Sequence, residues 1–117
     1  MTVGWKLDLK CREDLLTVYP PRYQRTVADH VTLSVSGTEA PAPVDDAFII
    51  GHVDDGTGVE AYIVAIAGST DRPDGGTWHV TWSLAAGRAA RESNDVIAHG
   101  DWTALPPTDL SLHPAQW

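Results

Sequence analysis

One cysteine, Cys11, is all the thiol chemistry this chain carries. A single thiol can neither close an internal disulfide nor build a thiolate metal cluster. Positive charge is also scarce. Lys6, Lys10, Arg12, Arg22, Arg25, Arg72, Arg88 and Arg91 face 16 acids, for a formal net charge of −8. Sequence-independent binding to long duplex nucleic acid needs a basic surface that displaces counterions, so that class is excluded. A small anion in a local basic pocket is not. No apolar stretch approaches the ~20 residues of a membrane span. The first residues, "MTVGWKLDLK", lack a basic segment followed by an apolar one. No signal peptide is expected, and the expected location is the cytoplasm.

What remains is enough for one small domain, residues 1–117, with 43% apolar content and five tryptophans. "VGWKLDL" alternates, with Trp5, Leu7 and Leu9 on one face and Lys6 and Asp8 on the other. "CREDLLTVY" reads as a short helix stopped by Pro20 and Pro21. "ADHVTLSVS", "AFIIGHV", "VEAYIVAIAG" and "TWHVTWSL" read as strands, the middle two joined through the Asp-Gly signal in "DDGTG". "AAGRAARESNDVIAHG" reads as loop with one helical turn near Ser93–Ala98. The Pro-rich tail reads as irregular, with a short strand near Trp102. The expected class is α+β: a single domain with an antiparallel-rich sheet of about five strands and one short N-terminal helix.

Two of those strands carry the same word, "HVTL" at 30–33 and "HVTW" at 79–82. On a strand, residues i and i+2 share a face. His30 and Thr32 therefore point together, with Val31, Leu33 and Val35 turned to the core. His79 and Thr81 point together, with Trp78, Val80 and Trp82 opposite. If the two strands lie side by side, both polar pairs line one groove. Two imidazoles and two hydroxyls suit a phosphodiester without a metal or other cofactor. One His takes a proton from the attacking oxygen and the other gives one to the leaving oxygen. The unperturbed imidazole pKa of about 6.5 fits both tasks. The hydroxyls donate to the non-bridging oxygens as charge builds.

The paired words resemble the two signature motifs of the two-histidine (2H) phosphoesterase superfamily, each a His, an apolar residue, a Thr or Ser, and another apolar residue. "VADHVTLSV", "AIAGSTDRPDGGTWHVTWSL" and "ESNDVI" resemble a small phage-associated and bacterial branch. The resemblance spans roughly residues 3–102. It implies His30 and His79 as acid and base, and Thr32 and Thr81 as the phosphate holders. It also implies a hydrolase acting on 2′,3′-cyclic phosphate ends, 2′–5′ or 3′–5′ linkages, or cyclic nucleotides. Some phage members resemble anti-defence enzymes that destroy cyclic oligonucleotide signals in the host cytoplasm. The expected partner is thus a small nucleotide or an RNA end. Typical members are longer, with a helix packed in each lobe. Only one helix is evident here, so a reduced second lobe is expected.

Other groups fit supporting roles. Arg72, in the glycine-rich "GSTDRPDGG", can reach a phosphate from a hairpin loop. Tyr23, Arg25 and Trp102 flank the motifs and can stack on a base or anchor a sugar. His52, Asp54 and Asp55 lie close in sequence, but Asp-Gly is first a turn signal. Ser93 reads as a helix cap rather than a nucleophile. A second function class stays open: a nucleotide-binding module that sequesters a signal without turning it over.

Overall fold

The computed structural model describes all 117 residues. In chain order the elements are β1 (Val3–Leu7), α1 (Leu9–Val18), β2 (Arg25–Thr26), β3 (His30–Ser34), β4 (Ala47–Asp54), β5 (Val59–Ile66), β6 (His79–Leu84), α2 (Glu92–His99), β7 (Thr103–Asp109) and β8 (Leu112–Gln116). They form two antiparallel sheets, a three-stranded one in the order β3-β1-β8 and a five-stranded one in the order β2-β6-β5-β4-β7. The domain is α+β, with a second sheet and a second helix beyond those expected. No helix is long and apolar enough to cross a membrane.

The alternation in the strands decides which faces meet. Trp5, Leu7 and Val31 from the small sheet pack with Val64, Trp78, Val80 and Trp82 from the large one, and Leu15 of α1 joins them. Trp5 meets Trp78 edge-on, with ring centroids 5.5 Å apart, and its indole N–H donates to the Ala42 carbonyl at 2.9 Å. The other face of the large sheet is covered by α2, where Ile97 packs on Val53, Ala61 and Ile63. This is why β5 is buried on both faces through Val64. Strands sealed on both sides lose the polar-out half of their alternation.

α1 begins one residue after β1, where the Asp8 carboxylate accepts the Cys11 N–H at 3.1 Å as an N-cap. Leu9 thus opens the helix and is 78% exposed, instead of extending the apolar face of β1. Val35 likewise lies past the end of β3 and is exposed. The Pro-rich tail is ordered rather than irregular. Its two strands are edge strands, where a missing N–H costs no ladder bond. Pro106 and Pro107 fall where β7 skips its pairing with β4, between Ala104 and Thr108.

Candidate functional site

The two His-x-Thr strands lie in different sheets, and one continuous ribbon brings them together. Arg25 and Thr26 pair with Leu84 and Ser83 of β6. The Val27 and Ala28 amides continue along β6, donating to the carbonyls of Trp82 at 2.8 Å and Thr81 at 3.0 Å. One residue later the ribbon has changed sheets: the Asp29 carbonyl accepts from the Leu7 N–H, and His30 stands opposite Lys6 of β1. The turn is made at Ala28, which is fully buried with φ at 43°, a left-handed conformation that an L side chain resists. The Arg12 guanidinium, reaching from α1, donates to the Ala28 and Val27 carbonyls and pins the bend. Strain held by surrounding contacts beside a candidate site is a functional signal.

Just past that bend, Asp29, the residue before β3, touches His30 through its side chain. The His30 Nδ1 is 3.0 Å from Asp29 Oδ2, and Lys6 bonds the same oxygen. Burial works to raise the Asp29 carboxyl, but the bonds from Lys6 and His30 outweigh it and hold it below the usual range. An ionised Asp29 accepts the Nδ1–H and fixes the ring, leaving Nε2 as the nitrogen without a protein partner. Trp117 packs on the other side of His30, with ring centroids 4.7 Å apart, and Lys6 Nζ lies 4.5 Å from the Trp117 ring centre. Trp117 is held by two backbone bonds to Thr2.

His79 is set differently. Its Nδ1 lies 2.8 Å from the Thr77 carbonyl, which can only accept, so Nδ1 carries the proton and Nε2 the lone pair. Burial pushes the His79 pKa below the ordinary imidazole value, and the charges of Arg72 and His30 act in the same direction. His79 and Thr81 are buried on the side of the sheet that α2 approaches, while Ser83 is buried between Glu60, to which it donates, and the Tyr23 amide, from which it accepts. The Thr81 hydroxyl meets Ser93 Oγ at 2.8 Å and donates toward the Ala90 carbonyl at 3.3 Å. Ser93 is therefore not the helix cap: it sits inside the first turn of α2, fully buried, and holds Thr81.

His30, Thr32, His79, Thr81 and Arg72 all line one open cavity of about 710 Å³. The expectation that the two polar pairs share a groove is met, although the strands do not pair. Arg72 is held to Asp74 at 2.7 Å and to Asn94 Oδ1 at 3.1 Å. Its guanidinium lies over Gly76, where a Cβ would stand 2.4 Å from Nη2. Asp74 adds a carboxylate to the lining, and Arg91, Asn94 and Trp117 add a guanidinium, an amide and an indole. None of the last three was singled out from the sequence. Asn94 and Arg91 sit in the segment read mainly as loop, and Trp117 in the tail read as irregular.

Tyr23, Arg25 and Trp102 are not part of the cavity lining. Tyr23 donates to Asp54 at 2.5 Å, and that bond pushes its hydroxyl up to about 12. Arg25 donates to the Arg88 carbonyl at 2.9 Å. Trp102 lies against Gly51 of β4, where a Cβ would stand 2.3 Å from its ring. Asp55 does what a turn residue does, accepting from the Thr57, Gly58 and Val59 amides and pairing with Arg88. His52 instead bonds the buried Glu60, which also accepts from Ser83 and from the Arg22 amide. No three His, Cys, Asp or Glu side chains gather as metal ligands. Scanned against protein-family models, curated proteins and solved structures, the chain gives no match.

Proposed function

We propose that the chain is a 2H-type phosphodiesterase that cleaves a small nucleotide by His/His acid–base catalysis without a metal. The observation that carries this reading is the pair of imidazoles on one cavity, each with Nδ1 engaged and Nε2 left for the reaction. Their environments differ as an acid and a base require. His79, kept neutral by burial and holding its lone pair on Nε2, is the base. His30, oriented by Asp29, is the proton donor.

With a ribose 2′-OH as nucleophile, His79 Nε2 takes its proton while O2′ bonds phosphorus. The bond from phosphorus to the leaving oxygen breaks, and His30 delivers its proton to that oxygen. The products are a 2′,3′-cyclic phosphate and a free hydroxyl. With a 2′,3′-cyclic phosphate as substrate, water takes the place of the 2′-OH and the ring opens. Thr32 and the Arg72 guanidinium donate to the non-bridging oxygens. The branch of phage anti-defence enzymes that the motifs resemble belongs to this reading.

A second reading, a binding module that sequesters a nucleotide, is favoured by one observation: the Thr81 hydroxyl is already committed to Ser93 and Ala90. Turnover separates the two. The protein in EDTA is incubated with 2′,3′-cyclic mononucleotides, 2′–5′ and 3′–5′ dinucleotides and cyclic dinucleotides. Cleavage that falls at least 100-fold in both His30→Ala and His79→Ala supports the enzyme. A ligand returned intact after denaturation supports the module. Cleavage lost in EDTA and restored by a divalent cation overturns the metal-free mechanism.

A further inference from the structure

Every cationic side chain but one has an internal partner. Lys6 pairs with Asp29, Lys10 with Asp14, Arg22 with Asp54 and Glu60, Arg72 with Asp74, and Arg88 with Asp55 and Glu92. Arg12 and Arg25 donate to backbone carbonyls. Arg91 is the exception. In a chain with 16 acids, its guanidinium meets neither a carboxylate nor a carbonyl, and it stands on the wall of the catalytic cavity. A guanidinium presents a planar fork of donors that matches a phosphate; Arg91 feels the charge of the neighbouring Glu92 but bonds no side chain, so its fork is open to an anion from outside.

Its place along the cavity says which anion. Arg91 precedes α2 directly, and Asn94, three residues on, holds Arg72 beside His79. Residues three apart at a helix start are neighbours, so Arg91 stands near the Arg72–Asn94 pair, but its guanidinium takes no part in it. With Arg72 beside His79 to serve the phosphate being cleaved, a second guanidinium on the same cavity suits the next phosphate along a nucleotide chain.

We infer that Arg91 binds a second phosphate adjoining the scissile one, so that the preferred substrate is an oligonucleotide with at least two phosphates rather than a lone 2′,3′-cyclic mononucleotide. This rests on the phosphodiesterase reading for the position of the scissile phosphate. A 5′-phosphorylated linear dimer and a ring-closed dimer offer the same chemistry.

The test is binding to the whole protein of dimers without 2′-hydroxyls, which cannot undergo the 2′-OH cleavage. The probes are dApdA, its 5′-phosphorylated form, and the ring-closed deoxy dimer, each titrated at several salt concentrations. Wild type binds one or both two-phosphate probes about fivefold more tightly than dApdA, with a salt slope steeper by about 0.7. In Arg91→Ala the affinity ratio falls to about one. Tighter binding of the linear probe or of the ring identifies the source of the second phosphate. Equal affinity for all three probes, no measurable binding of either two-phosphate probe, or a preference that survives in Arg91→Ala overturns the inference. The ribose counterparts ApA and pApA separate the two claims. Preference without cleavage keeps the Arg91 subsite and removes the enzyme. Cleavage without preference keeps the enzyme and removes the subsite.

Discussion

The burial of His79 is visible in its proton affinity. Its pKa is lower folded than the ~6.5 of the unfolded chain. Between those two values the unfolded state binds more protons, so stability rises with pH there. The contribution of neutral His79 is complete above about pH 6.5 and is lost as pH falls toward the folded pKa. Urea unfolding midpoints measured from pH 7.5 to 5.5 therefore decline in wild type and decline less in His79→Asn. The acid limb of the rate profile lies below pH 6.5 for the same reason. Asp29→Asn keeps the shape but gives up the carboxylate that accepts the His30 Nδ1–H. A loss of roughly tenfold or more in kcat with little change in KM is expected. Ser93→Ala removes a buried partner of Thr81 and lowers unfolding free energy by about 1 kcal/mol. The His-x-Thr word was legible because strand alternation fixes which residues share a face. The roles of Asp29 and Ser93 were not. Adjacent residues on a regular strand point to opposite sides, but Asp29 stands just before β3, past the bend at Ala28.

β1, β3, β4, β5 and β6 were legible as alternating or apolar runs bounded by turn signals, and so was α1, which Pro20 and Pro21 terminate. α2 was read as little more than a turn because it shows only Val96 and Ile97 as an apolar pair, too short a stripe for helical periodicity. Missing that helix also hid the burial of Thr81, whose hydroxyl meets Ser93 in its first turn. β7 and β8 were masked by proline, a breaker in a central strand but not at an edge. The two-residue β2 is too short to show a period. At this scale Ala28 is the sensitive position. Ala28→Val puts a branched side chain into a left-handed, fully buried site. A cost of about 3 kcal/mol is expected from backbone strain and overpacking together, read as a lower urea midpoint. Trp102→Ala exposes Gly51 and lowers stability, while the response to nucleotides stays as in wild type, because Trp102 stands outside the cavity lining.

Across the whole molecule, the site exists only where two sheets converge. His30 belongs to the three-stranded sheet and His79 to the five-stranded one, and no single hairpin contains both. That arrangement lay beyond the sequence, which suggested one sheet because nothing local marks a strand that leaves one ladder for another. With a net charge of −8, a gel shift with long DNA at physiological salt is expected to show no complex, whatever the affinity for short nucleotides. The join between the sheets also sets how the site can move. The Ala28 amide is bonded to Thr81, a motif residue of one sheet, while the Asp29 carbonyl one residue on is bonded to Leu7 of the other. A second crossing stands between β7 and β8, where the Leu110 amide is bonded to Ala47 of the large sheet and the Ser111 carbonyl to Asp8 beside the small one. Two rivets stop a plate from turning, so the sheets are expected to hold their angle and the two imidazoles their separation. In deuterated water the Ala28 amide should then exchange only through global unfolding, outlasting the amides at the cavity rim such as Ser36.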